Sequence, residues 1–76
     1  MRLFTIKPYT GWRIDFDNTR IRDDFIDNCS VEFPLFTDYI NYDVFGIDIK
    51  VPDKEEGVAA KVQRAITSAA RKEMMK

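Results

Sequence analysis

Apolar positions along this chain follow two periods, with one stretch that obeys neither. Residues 12–17 alternate strictly: Trp12, Ile14 and Phe16 fall on one side, and Arg13, Asp15 and Asp17 on the other. A period of two is the pattern of a half-buried strand. The run Arg2-Leu3-Phe4-Thr5-Ile6-Lys7 precedes it, separated by Pro8-Tyr9-Thr10-Gly11. Pro fixes its φ and Gly accepts a positive one, so these four residues have turn chemistry and the two runs are expected to form an antiparallel hairpin. Alternation returns at Phe45, Ile47, Ile49 and Val51, with Gly46, Asp48 and Lys50 facing the other way and Pro52 ending the strand.

Helical spacing shows in two places. Ile21, Phe25 and Cys29 recur four apart, with Ile26 alongside and Asn18 or Thr19 in position to cap, which predicts a helix over residues 20–28. The clearest element spans residues 54–74. Val58, Val62, Ala65, Ile66 and Ala69 converge on one face, while Lys61, Arg64, Arg71 and Lys72 gather opposite. Asp53 is the expected N-cap, with Glu55 and Glu56 in the first turn where the helix dipole favours them. Between the helices, residues 30–38 contain Pro34 and show no clean period, and Val31-Glu32-Phe33 is expected to be a short edge strand. The sum is an α+β domain: a small antiparallel sheet of three to four strands with a C-terminal amphipathic helix packed on one face.

Composition narrows the chemistry. The 76 residues suffice for one small domain, and the chain has no His and one Cys. That removes His general bases, His-ligated metals and an intramolecular disulfide framework. No run approaches the roughly 20 apolar residues that span a bilayer, and the N-terminus lacks a secretory pattern, so a cytoplasmic protein without membrane contact is expected. The net charge of −1 conceals segregation: residues 1–14 carry +3, residues 15–56 carry −8, and residues 57–76 carry +4. Such segregation bears on partners more than on fold.

Three constellations are candidates for chemistry. Asp15-Phe16-Asp17-Asn18-Thr19 resembles the DxDxT signature of the haloacid-dehalogenase-like phosphatases. The resemblance implies a nucleophilic Asp15 and a general-acid Asp17 holding Mg²⁺, hence a phosphoryl-transfer site. It covers about six residues, however, and the family's remaining residues are spread over a Rossmann-like domain too large for this chain. Two carboxylates on the polar side of an alternating strand are expected to be solvated surface. The basic face of the last helix could follow a phosphate backbone, making a small nucleic-acid-binding protein the alternative from another class.

The third constellation is acidic and aromatic. Asp15, Asp17, Asp23, Asp24 and Asp27 lie close in sequence, and residues 33–45 crowd large apolar side chains together, Phe36, Tyr39 and Tyr42 among them. Exposed apolar surface marks interfaces, and aromatic residues among acids suit a basic partner. These eight residues are the expected partner-binding set. The leading expectation is a non-enzymatic interaction module, an inhibitor or adaptor that binds a basic protein, with no cofactor, no metal, no direct nucleic-acid binding and a possible homodimer. In kind it is similar to small phage and mobile-element inhibitors whose carboxylates stand in for phosphates.

Overall fold

The computed structural model describes residues 1–8 and 10–75. Tyr9 of the predicted turn, the side chain of Glu56 and Lys76 lie outside the described residues. Strand β1 (Arg2–Lys7) turns back into β2 (Gly11–Asp15), followed by helix α1 (Thr19–Glu32), a 3-10 turn (Pro34–Tyr39), β3 (Ile40–Tyr42), β4 (Gly46–Lys50), a short 3-10 turn (Asp53–Glu55) and helix α2 (Glu56–Met74). The strands form one antiparallel sheet in the order β1-β2-β4-β3. The predicted α+β class holds.

Alternation in β2 and β4 does what its period requires. Trp12 and Ile14 pair with Ile49 and Ile47, and all four are buried in one core with Phe25 and Cys29 of α1 and Ala59, Val62, Ala65, Ile66 and Ala69 of α2. Both helices therefore cover the same face of the sheet. Small alanines allow α2 to sit close to α1, where the Cys29 thiol lies 3.6 Å from the Ala65 carbonyl. The opposite face of the sheet, with Arg13, Asp15 and Asp48, has no helix over it.

Helix α1 starts as expected: the Asn18 side chain accepts from the Ile21 N–H at 2.9 Å, satisfying one orphan donor of the first turn. Two expectations are corrected. The predicted edge strand at residues 31–33 does not form, because α1 continues through Glu32 and the Phe33 N–H closes it on the Cys29 carbonyl at 2.8 Å. Pro34 then opens a 3-10 turn, a first-turn position where its missing N–H costs nothing. Nor does Asp53 cap α2. Its carboxylate binds the Lys7 ammonium at 2.9 Å, and Glu55 takes the N-cap position without a side-chain bond.

Candidate functional site: an acidic corner with an apolar tip

The β3–β4 connection, Asp43-Val44-Phe45-Gly46, determines the corner. Asp at its first position and Gly at its fourth is a favoured turn pattern. The Asp43 carboxylate accepts the N–H groups of Phe45 at 2.8 Å and Gly46 at 2.9 Å, and the Asp43 N–H donates to the Gly46 carbonyl at 2.9 Å. Gly46 is required by packing: a Cβ there would fall 2.0 Å from the Ile14 carbonyl oxygen. The turn is thus fixed at both ends, and the side chains at its two central positions are driven outward. Val44 is 66% exposed and Phe45 71%, with Tyr42 beside them at 65%.

Two arginines organise the carboxylates around this tip. Arg13 grips Asp43 with both terminal nitrogens at 3.2 Å, Asp15 through Nε at 2.8 Å and Asp48 at 3.2 Å. Arg22 of α1 binds Asp23 at 3.0 Å, donates to the Asp43 carbonyl oxygen, and places its guanidinium 5.0 Å from the centre of the Tyr42 ring. Asp43 therefore ties the open face of the sheet to the start of α1. The cations lie beneath their anions. The Arg13 side chain is 20% exposed against 42–54% for its three carboxylates, and Arg22 is 13% exposed against 61% for Asp23. In each pair the carboxylate is the more exposed partner.

The local electrostatics follow. Hydrogen bonds from Arg13, and then from the Phe45 N–H, hold the Asp43 carboxyl below the usual range. The same bonds to Asp43 and Asp15 raise the Arg13 pKa further, keeping it charged. Cys29 belongs to the core, where burial pushes its thiol up to about 12, so no reactive thiolate is present at neutral pH. Among the described residues no group of three or more acidic or thiol side chains is arranged to hold a metal ion, and no helix is long and apolar enough to cross a membrane.

The structure separates the eight sequence-predicted residues. Asp23, Asp27 and Tyr42 line one shallow groove of about 490 Å³ with Arg22, Ile26, Thr37 and Ile40. Asp15 belongs to the Arg13 cluster, Asp17 is exposed just beyond β2, and Asp24 is half-buried on α1. Phe36 is fully buried and is corrected from contact surface to core, with Phe33 beside it, whereas Leu35, Tyr42, Val44 and Phe45 of the same stretch stay exposed. Tyr39 is half-buried. It stacks on Phe33 with ring centres 6.3 Å apart and its hydroxyl lies 3.5 Å from Glu55, so burial and then that carboxylate raise its pKa. Arg13 as the hub, and Asp43, Val44 and Phe45 as the tip, lie outside the expected partner-binding set. The Asp-x-x-Gly spacing between two alternating segments was the available signal for the tip. No protein-family model matches this chain, and no curated protein or solved structure shows detectable similarity to it.

Proposed function

We propose that this chain is a non-enzymatic protein-interaction module whose acidic, aromatic-tipped corner docks on a basic surface of another protein. The observation that carries this reading is the layering of charge around an exposed apolar tip: Tyr42, Val44 and Phe45 stand out from a rim of carboxylates whose arginines are tucked beneath them. An apolar centre with a charged rim is how interfaces gain affinity and select partners. The turn is already ordered by Asp43, so docking pays little conformational entropy. Where the partner is itself a nucleic-acid-binding protein, the carboxylates occupy positions of phosphates, and the chain acts as an inhibitor in the manner of phage or mobile-element anti-defence proteins.

Immobilised protein incubated with lysate of the source cell tests this reading. Wild type is expected to retain a protein with a basic surface, released by rising salt. A Tyr42→Ala/Phe45→Ala variant and an Asp23→Asn/Asp27→Asn variant should each lose it. Retention of the same protein by both variants would contradict the reading. A second reading, nucleic-acid binding by α2, has one observation in its favour. Lys61, Arg64, Arg71 and Lys72 are all exposed, and no ion pair among the described residues holds any of them. Salt-sensitive oligonucleotide binding lost on changing these four would support it.

A further inference from the structure

At the end of β2 away from the acidic corner, the hairpin and α2 leave a cavity between them. Its volume is about 600 Å³, and Pro8, Thr10 and Trp12 face Ala59, Ala60 and Gln63 across it. Strand pairing fixes which end this is: Gly11 lies opposite Lys50, whereas Asp15 of the corner lies opposite Gly46. The cavity follows from the sequence of α2. Val62 and Ile66 are buried and fill the space between helix and sheet. One turn earlier, the side chains that α2 brings towards Trp12 are two alanines, too small to close the same gap. A cleft of this volume, mainly apolar and bordered by a few polar groups, has the dimensions of a small-molecule site.

The polar side chains on its lining differ in what they have left to offer. The Asp53 carboxylate is held by the Lys7 ammonium at 2.9 Å. The Gln63 amide nitrogen lies 3.3 Å from the Thr67 hydroxyl. The Thr10 hydroxyl is shut off from solvent and has no partner among the described residues. Its backbone, by contrast, is fully engaged: the Thr10 N–H donates to the Lys7 carbonyl at 3.2 Å, and the Thr10 carbonyl accepts from the Val51 N–H at 2.8 Å. The main chain is pinned, and the hydroxyl is the group left unsatisfied. Leaving a buried hydroxyl unpaired is costly. Thr10 lines the cavity, so an oxygen placed there is the partner that a change in its single rotamer dihedral can reach.

We propose that this cavity binds a compact uncharged molecule with an alicyclic or aromatic body and one hydroxyl or carbonyl oxygen. The apolar body lies against Trp12, Ala59 and Ala60, and the oxygen bonds to the Thr10 hydroxyl. The lining selects against charge. Asp53 is the one ionised residue among those described on it, and Lys7 already neutralises that carboxylate. An ammonium ligand therefore finds its counter-charge occupied, and a carboxylate ligand finds none on the lining. Either would lose hydration in an apolar cleft without compensation. The inference is independent of the reading of the acidic corner, which lies at the other end of the sheet.

Trp12 is the chain's one tryptophan, so its fluorescence reports on the cavity directly. The probe is borneol, a rigid bicyclic alcohol that does not absorb where tryptophan is excited, with bornylammonium as the charged molecule of the same shape. Borneol is expected to shift the Trp12 emission saturably, with half-saturation at or below about 1 mM, and to move the amide resonances of residues 10–12 and 59–63. Ala60→Leu enlarges an exposed position of α2 and fills the cavity, so it should abolish the response. Thr10→Val keeps the shape and removes the hydroxyl, and should weaken borneol about two- to tenfold. Bornylammonium should bind about tenfold more weakly than borneol, or not at all. No saturable response to borneol up to its solubility limit would overturn the proposal. So would an undiminished response in Ala60→Leu, unchanged affinity in Thr10→Val, or bornylammonium bound as tightly as borneol. The Thr10→Val and bornylammonium comparisons decide the matter even if Ala60→Leu disturbs α2.

Discussion

Strands β1 and β4 belong to one sheet and are both rich in apolar residues, but they occupy different physical environments. In β4, Ile47 and Ile49 are fully buried between β2, β3 and the helix layer, and Gly46 is pressed against the backbone of β2. In β1, Leu3, Phe4 and Ile6 are 48%, 45% and 65% exposed, and β2 is the one element packed substantially against the strand. Both edges of β4 are paired, whereas β1 has a single neighbour. Composition does not separate these strands; place in the sheet does. A side chain is buried when a second layer lies over its face, and the two helices span only the inner part of this sheet. The apolar surface left outside their reach lies at β1 and at the β3–β4 tip.

Matched substitutions break the comparison most sharply. Ile49→Ala removes a fully buried side chain and should cost about 2–5 kcal/mol, read from urea denaturation. Ile6→Ala at the exposed edge should cost well under about 1 kcal/mol, within the range of ordinary surface changes. Equal losses at the two positions would mean that β1 is covered in the monomer. The glycines provide a second pair. Gly46→Ala drives a Cβ into the Ile14 carbonyl and should destabilise by about 1–3 kcal/mol, while the added Cβ at Gly11 meets its nearest neighbours at 3.4 Å and should be tolerated better.

Acid sharpens the contrast without altering packing. The Asp43 carboxyl is held below its ordinary range, mainly by Arg13. A depressed carboxyl contributes stability that is fully present above the unfolded value of about 3.9. That contribution is lost as pH falls through the lower folded value. Urea midpoints measured from about pH 4.5 down to about pH 2.5 should therefore fall less steeply in Asp43→Asn than in wild type. Parallel slopes would show that the Arg13–Asp43 pair does not contribute to acid sensitivity. The smallest effect is expected at Thr10. Its hydroxyl is buried with no partner among the described residues, so Thr10→Val should leave stability unchanged or slightly raised.

Much of this fold was legible in the sequence because its strongest signals are local. The alternation of Trp12, Ile14 and Phe16, and of Ile47, Ile49 and Val51, declared which faces are buried, and the apolar stripe of α2 declared its inner side. Phe45 shares that alternation but lies before β4 in the turn and is 71% exposed, a correction to the expected strand face. The middle of the chain was harder to read. Pro34 marks an edge strand or the first residue of a helical turn equally well, and the choice was decided by tertiary contact: Phe33 and Phe36 enter the core only if α1 runs on to Glu32. Asp53 looked like a cap in sequence, but a cation 46 residues away claims its carboxylate. The candidate site was partly visible. Asp23, Asp27 and Tyr42 converge, whereas Phe36 was taken into the core because sequence gives no measure of which aromatics in a dense run a small domain can enclose. Arg13 as the hub could not be read at all, since Asp15, Asp43 and Asp48 are brought to it by strand pairing.

The acidic corner as a docking surface is tested most directly by amide chemical-shift mapping of the isotopically labelled chain against the basic protein it retains from its source cell. The account predicts perturbed amides concentrated in residues 15–17, 22–27 and 42–46, with perturbation lost in Tyr42→Ala/Phe45→Ala. Perturbations confined to residues 61–72 of α2, with the corner silent, would contradict it.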